Sequence, residues 1–512
     1  MIPLIETAAF ICLVWSVVIV CVQLVGISAV FRYFSRRPNP PVSSRLGKDA
    51  PAVTIIRPVK GIEPHLYDCI ASTLQQDYPV DKVSLRLCIE DENDPAYPIL
   101  KKLVADFPAF DIQLLLESRD PALHGPNAYL NLGPNPKIRN ISRAYREAKG
   151  DIIWIIDCNV WASSGVLGRM VDKLAGFADG QRSMTPYKFV HQMPFLATQT
   201  TPGAEPSAAA AGGALTRIIR NGGGRLDEMF FGTTHVKFYG AINAVGVAPC
   251  IVGKSNMFRK SHLDLATTPS RNPLIEKDDV RPTGVDYFSH NICEDHLIGD
   301  LLWRSNIAGH RNHGMVWGDL AVQPMAGMSV SAYAARRIRW LRARKFTVLV
   351  ATLVEPGVES LVCCAYFSFA LTTLPWFRAH LGIPQTWSAA ALIWTICVMS
   401  WMCVDRIVFG LLHAGTTIEV DENTPRYARG TSHAGGVPRR TFGSWLLAWL
   451  GRELMALPVW AWAVLFGTTV KWRGKTFHVR LDTSVVEVTG QTPGRKGSRT
   501  PELERASKDR VD

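Results

Sequence analysis

The chain has 512 residues, is 47% hydrophobic and 20% charged, and carries a formal net charge of +12. That length calls for one large globular domain with additional segments rather than a single small core. No aromatic-plus-basic recognition module accompanies the positive charge, which sets nucleic-acid binding aside. The 11 scattered cysteines show neither CxxC pairs nor zinc-type spacing, which argues for a reducing, cytosol-facing protein without a disulfide framework.

The first element along the chain is "TAAFICLVWSVVIVCVQLVGISAVF", residues 7–31. It is uncharged and long enough to cross about 30 Å of hydrocarbon. "RYFSRR" follows at once, so the positive-inside rule puts this end in the cytosol and the short "MIPLIE" outside. The run is too long for a signal-peptide core and has no basic lead. Residues 1–34 therefore read as an N-terminal membrane anchor.

Residues 50–345 alternate β-branched runs with helical patterns, predicting an α/β domain with a mainly parallel sheet. "AVTIIRPVKG" is a buried strand ending in a Pro/Gly loop, and "PHLYDCIASTLQQDYP" reads as a helix closed by Pro79. "VSLRLCIEDENDP" is a strand with Asp91 among the acids at its end, and "KGDIIWIIDCNVW" is a strand ending at Asp157. Ligands of open α/β sheets bind beyond the carboxyl ends of strands, so both acids are expected in one cleft. Residues 198–225, rich in Ala and Gly, read as a flexible surface insertion without a chemical role. "NICEDHLIGD" sets Glu294 and Asp295 where a helix can begin.

"AARRIRWLRARKF" (334–346) then packs six cations and a tryptophan into one stretch. Beyond it, 360–377 and 386–404 read as a tight hairpin of membrane spans, and 411–441 as a polar loop. The apolar region 442–470 is interrupted by Arg452 and Glu453, and its first part is expected to be re-entrant or interfacial. Residues 346–470 are thus interfacial and transmembrane helices, and 471–512 a basic, partly disordered tail. Acids at strand ends, a further acidic pair and a guanidinium patch together suit a metal-bound diphosphate with a general base beside it.

In order, "RPVKG", "CIEDENDPA", "PNPKIRNI", "IIWIIDCNV", "FFGTTH", "GKSNMFRK", "CEDHLIGD", "RRIRW" and "KWRGKTFHV" resemble the inverting GT-A glycosyltransferases of the cellulose-synthase-like superfamily, and in wording the ceramide glucosyltransferases above all. The resemblance covers residues 10–480, apart from 198–225 and 411–441. It implies glucose transfer from UDP-glucose to the primary hydroxyl of ceramide at the Golgi membrane, by a multi-pass protein whose catalytic domain faces the cytosol. It also implies roles. Asp295 is the catalytic base, Asp91 contacts uridine, and Asp157 holds a divalent cation, Mg²⁺ or Mn²⁺. Arg336, Arg339 and Trp340 fit the (Q/R)xxRW signature at the diphosphate, with Lys60 and Lys137 as further nucleotide-site cations. Glu294, His191 and His235 are assigned to the acceptor pocket.

The chain reads Asp157-Cys158-Asn159 where many GT-A enzymes have DxD, which leaves the cation to one carboxylate and the phosphates. Arg337, Arg342, Arg344 and Lys345 are expected on anionic membrane lipids, and Trp472 at the membrane interface. Two rivals stay open at this point. A processive polysaccharide synthase would use the same acids, but four membrane segments leave little room for a polymer channel. A catalytically inactive membrane scaffold would not need Asp91, Asp157 and Asp295.

Overall fold

The computed structural model describes residues 4–178, 183–198 and 213–488. Most of the low-complexity stretch (199–212) and of the basic tail (489–512) lies outside the described residues. Seven strands form one sheet: β1 (Val53–Pro58), β2 (Val83–Ile89), β3 (Asp111–Leu116), β4 (Ile152–Ile156), β5 (Tyr187–Thr198), β6 (Ser255–Arg259) and β7 (Arg311–Met325). Their order is β3-β2-β1-β4-β6-β5-β7. β1 is parallel to β2 and β4, β2 to β3, and β5 to β7, while β6 runs antiparallel between β4 and β5. The expected mainly parallel α/β sheet is present.

Every residue of β1 and β4 is buried, because helices cover both sheet faces. Side chains alternate between two cores. Val53, Ile55, Trp154 and Ile156 pack with Leu167 and Met170 on one side. Ile56, Ile153 and Ile155 meet Ile138 and Ile141 of the helix Pro136–Arg146 on the other. The parallel strands β1, β2 and β4 end at one edge, where the loops carrying Lys60, Asp91 and Asp157 emerge.

Three elements differ from expectation. The helix foreseen over 64–79 covers only Leu66–Ala71. Beyond it, the hydroxyls of Ser72 and Thr73 donate to the carbonyls of Cys69 and Ile70, offering the backbone an alternative to the helix. The end of the presumed flexible insertion is folded, as helices Ala214–Asn221 and Gly223–Phe230. Gly223 N donates to Met328 O at 2.7 Å, and a Cβ at Gly223 would overlap Ser329 O. Its glycine therefore serves close backbone approach, not flexibility.

The third difference concerns the membrane region. Leu4–Phe34 and Trp387–His413 are long and apolar enough to cross a bilayer, which makes this a membrane protein. Leu349–Val358 and Ser360–Thr373 qualify only together, and they are bent by 71°. Ser360–Thr373 alone, at 14 residues, is too short for the hairpin span expected of it. Phe442–Leu465 is one continuous helix through Arg452 and Glu453. Both charges turn inward. Arg452 reaches Glu359 Oε2, Glu453 Oε1 and Thr234 Oγ1, each at 2.5 Å, and Ser360 Oγ donates to Glu453 Oε2 at 2.6 Å. Pairing inside the bundle removes the need for a break.

The supposed polar loop at 411–441 packs onto the α/β domain. Ile418, Tyr427 and Ala428 are buried with Phe195 and Val322, in a core that also contains Val30 and Phe34 of the first helix and Val408 and Leu412 of the second span. Arg169 Nη1 holds Glu419 Oε1 at 2.8 Å. After the last helix, β8 (Thr469–Trp472), β9 (Lys475–Val479) and β10 (Val485–Glu487) form a small antiparallel sheet.

Candidate active site

One open cleft is lined by Lys60, Lys137, Asp157, His235, Glu294, Asp295, Arg336, Arg339 and Trp340. Local sequence explains how each arrives. Asn135 caps the helix Pro136–Arg146, its side chain accepting from Lys137 N and Ile138 N. Pro136 suits the first helical turn, where its missing N–H costs nothing. Lys137 is thereby fixed at the helix start. The same Asn135 donates to Asn291 O at 2.5 Å and to Glu294 Oε2 at 3.2 Å, tying this cap to the start of the helix Glu294–Arg304.

At the end of β4, Asp157 lies between two ammonium groups. Lys137 Nζ is 3.4 Å from Oδ1 and Lys254 Nζ 3.0 Å from Oδ2. Lys137 also reaches Glu294 Oε1 at 3.1 Å, and Lys254 reaches Asn159 Oδ1 at 3.4 Å. Burial works against the Asp157 charge, yet Lys137 and Lys254 bring its carboxyl down to about 2. Asp295 behaves oppositely. Its enclosure in the cleft raises the carboxyl above the ordinary aspartate range, and Lys137 only partly offsets this. One cleft thus holds an aspartate that is always ionised and another whose oxygen is more basic than usual, a pairing that separates a charge-holding role from a proton-accepting one.

The oxygens of Asp157 and Asn159 that a divalent cation would take are held by Lys137 and Lys254, which would have to turn away to admit it. An ionised carboxylate and the neighbouring Asn159 carbonyl oxygen are hard ligands, to be completed by substrate phosphates. Among the described residues no group of three His, Cys, Asp or Glu forms a ready-made cage.

The helix Val330–Arg344 brings the basic stretch to the cleft. Arg336 Nε lies 3.0 Å from Oδ2 of the buried Asp227, and its guanidinium stacks over Trp340 at 4.5 Å. Trp340 meets Phe231 edge-on at 5.7 Å. Phe231 opens the π-helical turn Phe231–His235, a geometry that recurs at functional sites. In that turn Gly232 faces Phe409 of the second span, so the wall of the cleft is also the flank of the membrane helices.

The sequence matches the description Glycosyl transferase family 21 over residues 9–222 and 215–485. The chain belongs to that family. A ceramide glucosyltransferase of Gibberella zeae is 52% identical across 99% of both chains. Another, of Pyricularia oryzae, is 57% identical over 93% of this chain and 94% of its own. A solved mannosyltransferase from Pyrobaculum calidifontis, in complex with GDP-Man and Mn²⁺, aligns with 81% of this chain and 99% of its own at 14% identity and a TM-score of 0.39.

Several expectations for this family 21 chain need correction. Asp91 does not line the main cleft; it sits in an adjoining pocket with Gly61, Asn93 and Asp94, and Lys60 borders both cavities. The reason is strand order, since β1 separates β2 from β4. Lys60 meanwhile holds Glu90 Oε2 at 2.6 Å. His191 is outside the cleft lining, fully buried, with Tyr239 Oη on Nδ1 at 2.6 Å and Asn243 Oδ1 at 3.1 Å from Nε2. His235 does line the cleft; burial, with Arg337 and Arg344 nearby, lowers its imidazole to about 3 and keeps it neutral.

The lipid-facing assignment of the other cations fails as well. Arg342 donates to the carbonyls of Trp462 and Ala463, and Lys345 to that of Val464 at 2.6 Å. These are last-turn carbonyls of Phe442–Leu465, which lack helical partners and sit at the negative end of the helix dipole. Arg337 and Arg344 are taken by Glu355. Trp472, expected at the membrane interface, lines the cleft beside Arg473. Sequence reasoning missed Arg473 and Lys254 as site cations, although "KWRGK" and "GKS" were both motif positions.

Proposed function

We propose that this family 21 protein transfers glucose from UDP-glucose to the primary hydroxyl of ceramide, giving β-glucosylceramide and UDP, the first glycosylation in glycosphingolipid synthesis. It would work at the Golgi membrane, as a multi-pass protein with its catalytic domain facing the cytosol. The supporting observation is a single cleft that gathers Asp295, Asp157, three lysines and the Arg339–Trp340 pair against the membrane helices. The high identity of relatives named ceramide glucosyltransferase points the same way.

In this reading the uridine lies toward Asp91 across Lys60. The diphosphate meets Lys137, Lys254, Arg336 and Arg339, whose charges act in a partly water-excluded site where they count for most. Asp157, with Asn159, would hold a divalent cation, which adds charge neutralisation at the leaving diphosphate when bound. Asp295 accepts the proton of the acceptor hydroxyl as that oxygen attacks the anomeric carbon from the face opposite UDP, and one displacement inverts the centre. Phe230, Phe231 and Trp340 offer the apolar wall that a lipid acceptor needs.

Membranes containing the protein, supplied with several labelled UDP-sugars and ceramide, test this directly. Label is expected in glucosylceramide from UDP-glucose; no transfer from UDP-glucose with clear transfer from another donor would overturn the assignment. Lys254→Met should weaken UDP binding about tenfold, as befits losing one charge-assisted contact. Calorimetry on the purified protein reads this, and unchanged affinity would remove Lys254 from the donor site.

A further inference from the structure

A second cavity shares no lining residue with the catalytic cleft. It lies at the C-terminal end of the span Trp387–His413, between the ends of β5 and β7 and the segment 415–444. Its walls include Phe409, Leu412 and Val437, and its polar lining is dominated by Arg225, Arg439 and Arg440. The lone carboxylate there, Glu228, is already engaged by Arg440 and by His413 Nε2, the latter at 3.1 Å. Among the described residues Arg225 donates to the hydroxyl of Ser444, at 3.2 Å, and forms no ion pair. Arg439 is exposed and has no hydrogen bond or ion pair among the described residues.

Among the described residues the cavity thus sets three guanidiniums against one carboxylate, Glu228. Burial first, and then Arg440, lower the proton affinity of Arg225, and Glu228 offsets this in part. Nothing in the fold requires that arrangement, since no helix end or acid is satisfied by Arg439. The location adds the second constraint. The cavity opens at the end of an apolar span, where that span meets the α/β domain, and Phe409, Leu412 and Val437 make one side of it apolar.

We propose that this cavity binds the phosphate headgroup of an anionic membrane lipid, with Arg225 and Arg439 on the phosphate and Phe409 and Leu412 against the start of the acyl region. A guanidinium pair matches phosphate oxygens through its planar forks. A zwitterionic headgroup brings its own cation and gains less from a cavity with excess positive charge. The site is independent of the donor cleft and of the reaction assigned to it.

The full-length protein, purified in detergent, is titrated with mixed micelles containing phosphatidylserine or phosphatidylcholine, and retained lipid is counted by native mass spectrometry. Phosphatidylserine should be retained in preference to phosphatidylcholine. R225Q/R439Q should bind it about thirtyfold more weakly, as befits the loss of two interfacial arginines. If the double variant does not fold, R439Q alone carries the test, because Arg439 supports no contact. Equal phosphatidylserine retention by wild type and variant, or equal retention of both lipids by wild type, would refute the site. Inorganic phosphate at millimolar concentration is expected not to displace the lipid; displacement would instead assign the cavity to a free phosphate ligand and overturn the lipid proposal.

Discussion

Asp295→Asn is expected to remove turnover while leaving UDP affinity nearly intact. The carboxyl sits at the first turn of the helix Glu294–Arg304, and it is accommodated only because residue 253 is glycine: a Cβ there would overlap Asp295 Oδ2. Asn keeps the shape and hydrogen-bonding reach but cannot take a proton, so the loss isolates base chemistry, which contributes about 10²–10⁴-fold. Steady-state transfer to a short-chain ceramide measures it, and calorimetry with UDP supplies the control. A variant retaining more than a few per cent of the normal rate would exclude Asp295 as the base. The pH profile gives a second reading. Enclosure raises this carboxyl, and only its deprotonated form accepts a proton. Activity should therefore fall as pH drops through a value above the ordinary aspartate range, and the same fall should not occur in whatever residual rate Asp295→Asn retains.

Arg452→Leu should be the most destabilising substitution in the membrane region. Arg452 is 1% exposed and is the partner of both Glu359 and Glu453. Its removal leaves two carboxylates facing each other among apolar helices, a situation that costs about 3–5 kcal/mol. The triple variant Arg452→Leu/Glu359→Leu/Glu453→Leu removes the whole charge set and should recover much of that loss, because a well-packed apolar replacement of a buried ion network is often neutral. Thermal unfolding of the purified protein followed by tryptophan fluorescence compares the three. If Arg452→Leu melts with wild type, the network does not hold these helices together.

The parts of this molecule legible in the sequence are those written locally. β1, β2 and β4 are short apolar runs bounded by turn residues, and buried parallel strands have that signature. The acidic pair at Glu294 and Asp295 does open a helix. What was not legible depends on partners far away in the chain. That Arg342 and Lys345 would cap a helix ending at Leu465, 120 residues on, cannot be read from a charge cluster followed by apolar sequence. Lys254 reaches Asp157 because β6 is inserted antiparallel beside β4, a topological fact with no local mark. Asp91 was misplaced for the same reason, since adjacency in sequence order is not adjacency in the sheet. The glycines at 222–224 looked like linker composition because close backbone approach and flexibility use the same residue.

The capping of Phe442–Leu465 by Arg342 and Lys345 has a consequence for how substrates get in and out. Swinging the arginine-rich helix outward would strip carbonyl oxygens of their donors in surroundings poor in water, so that helix behaves as a fixed jamb. Trp472 and Arg473 are carried on the small ribbon of β8 and β9, which the same arginine holds: Arg342 Nη1 donates to Thr469 O, at the start of β8, at 3.0 Å. One side chain thus fastens both the helix and the ribbon that flank the cleft, so its loss would loosen both walls at once.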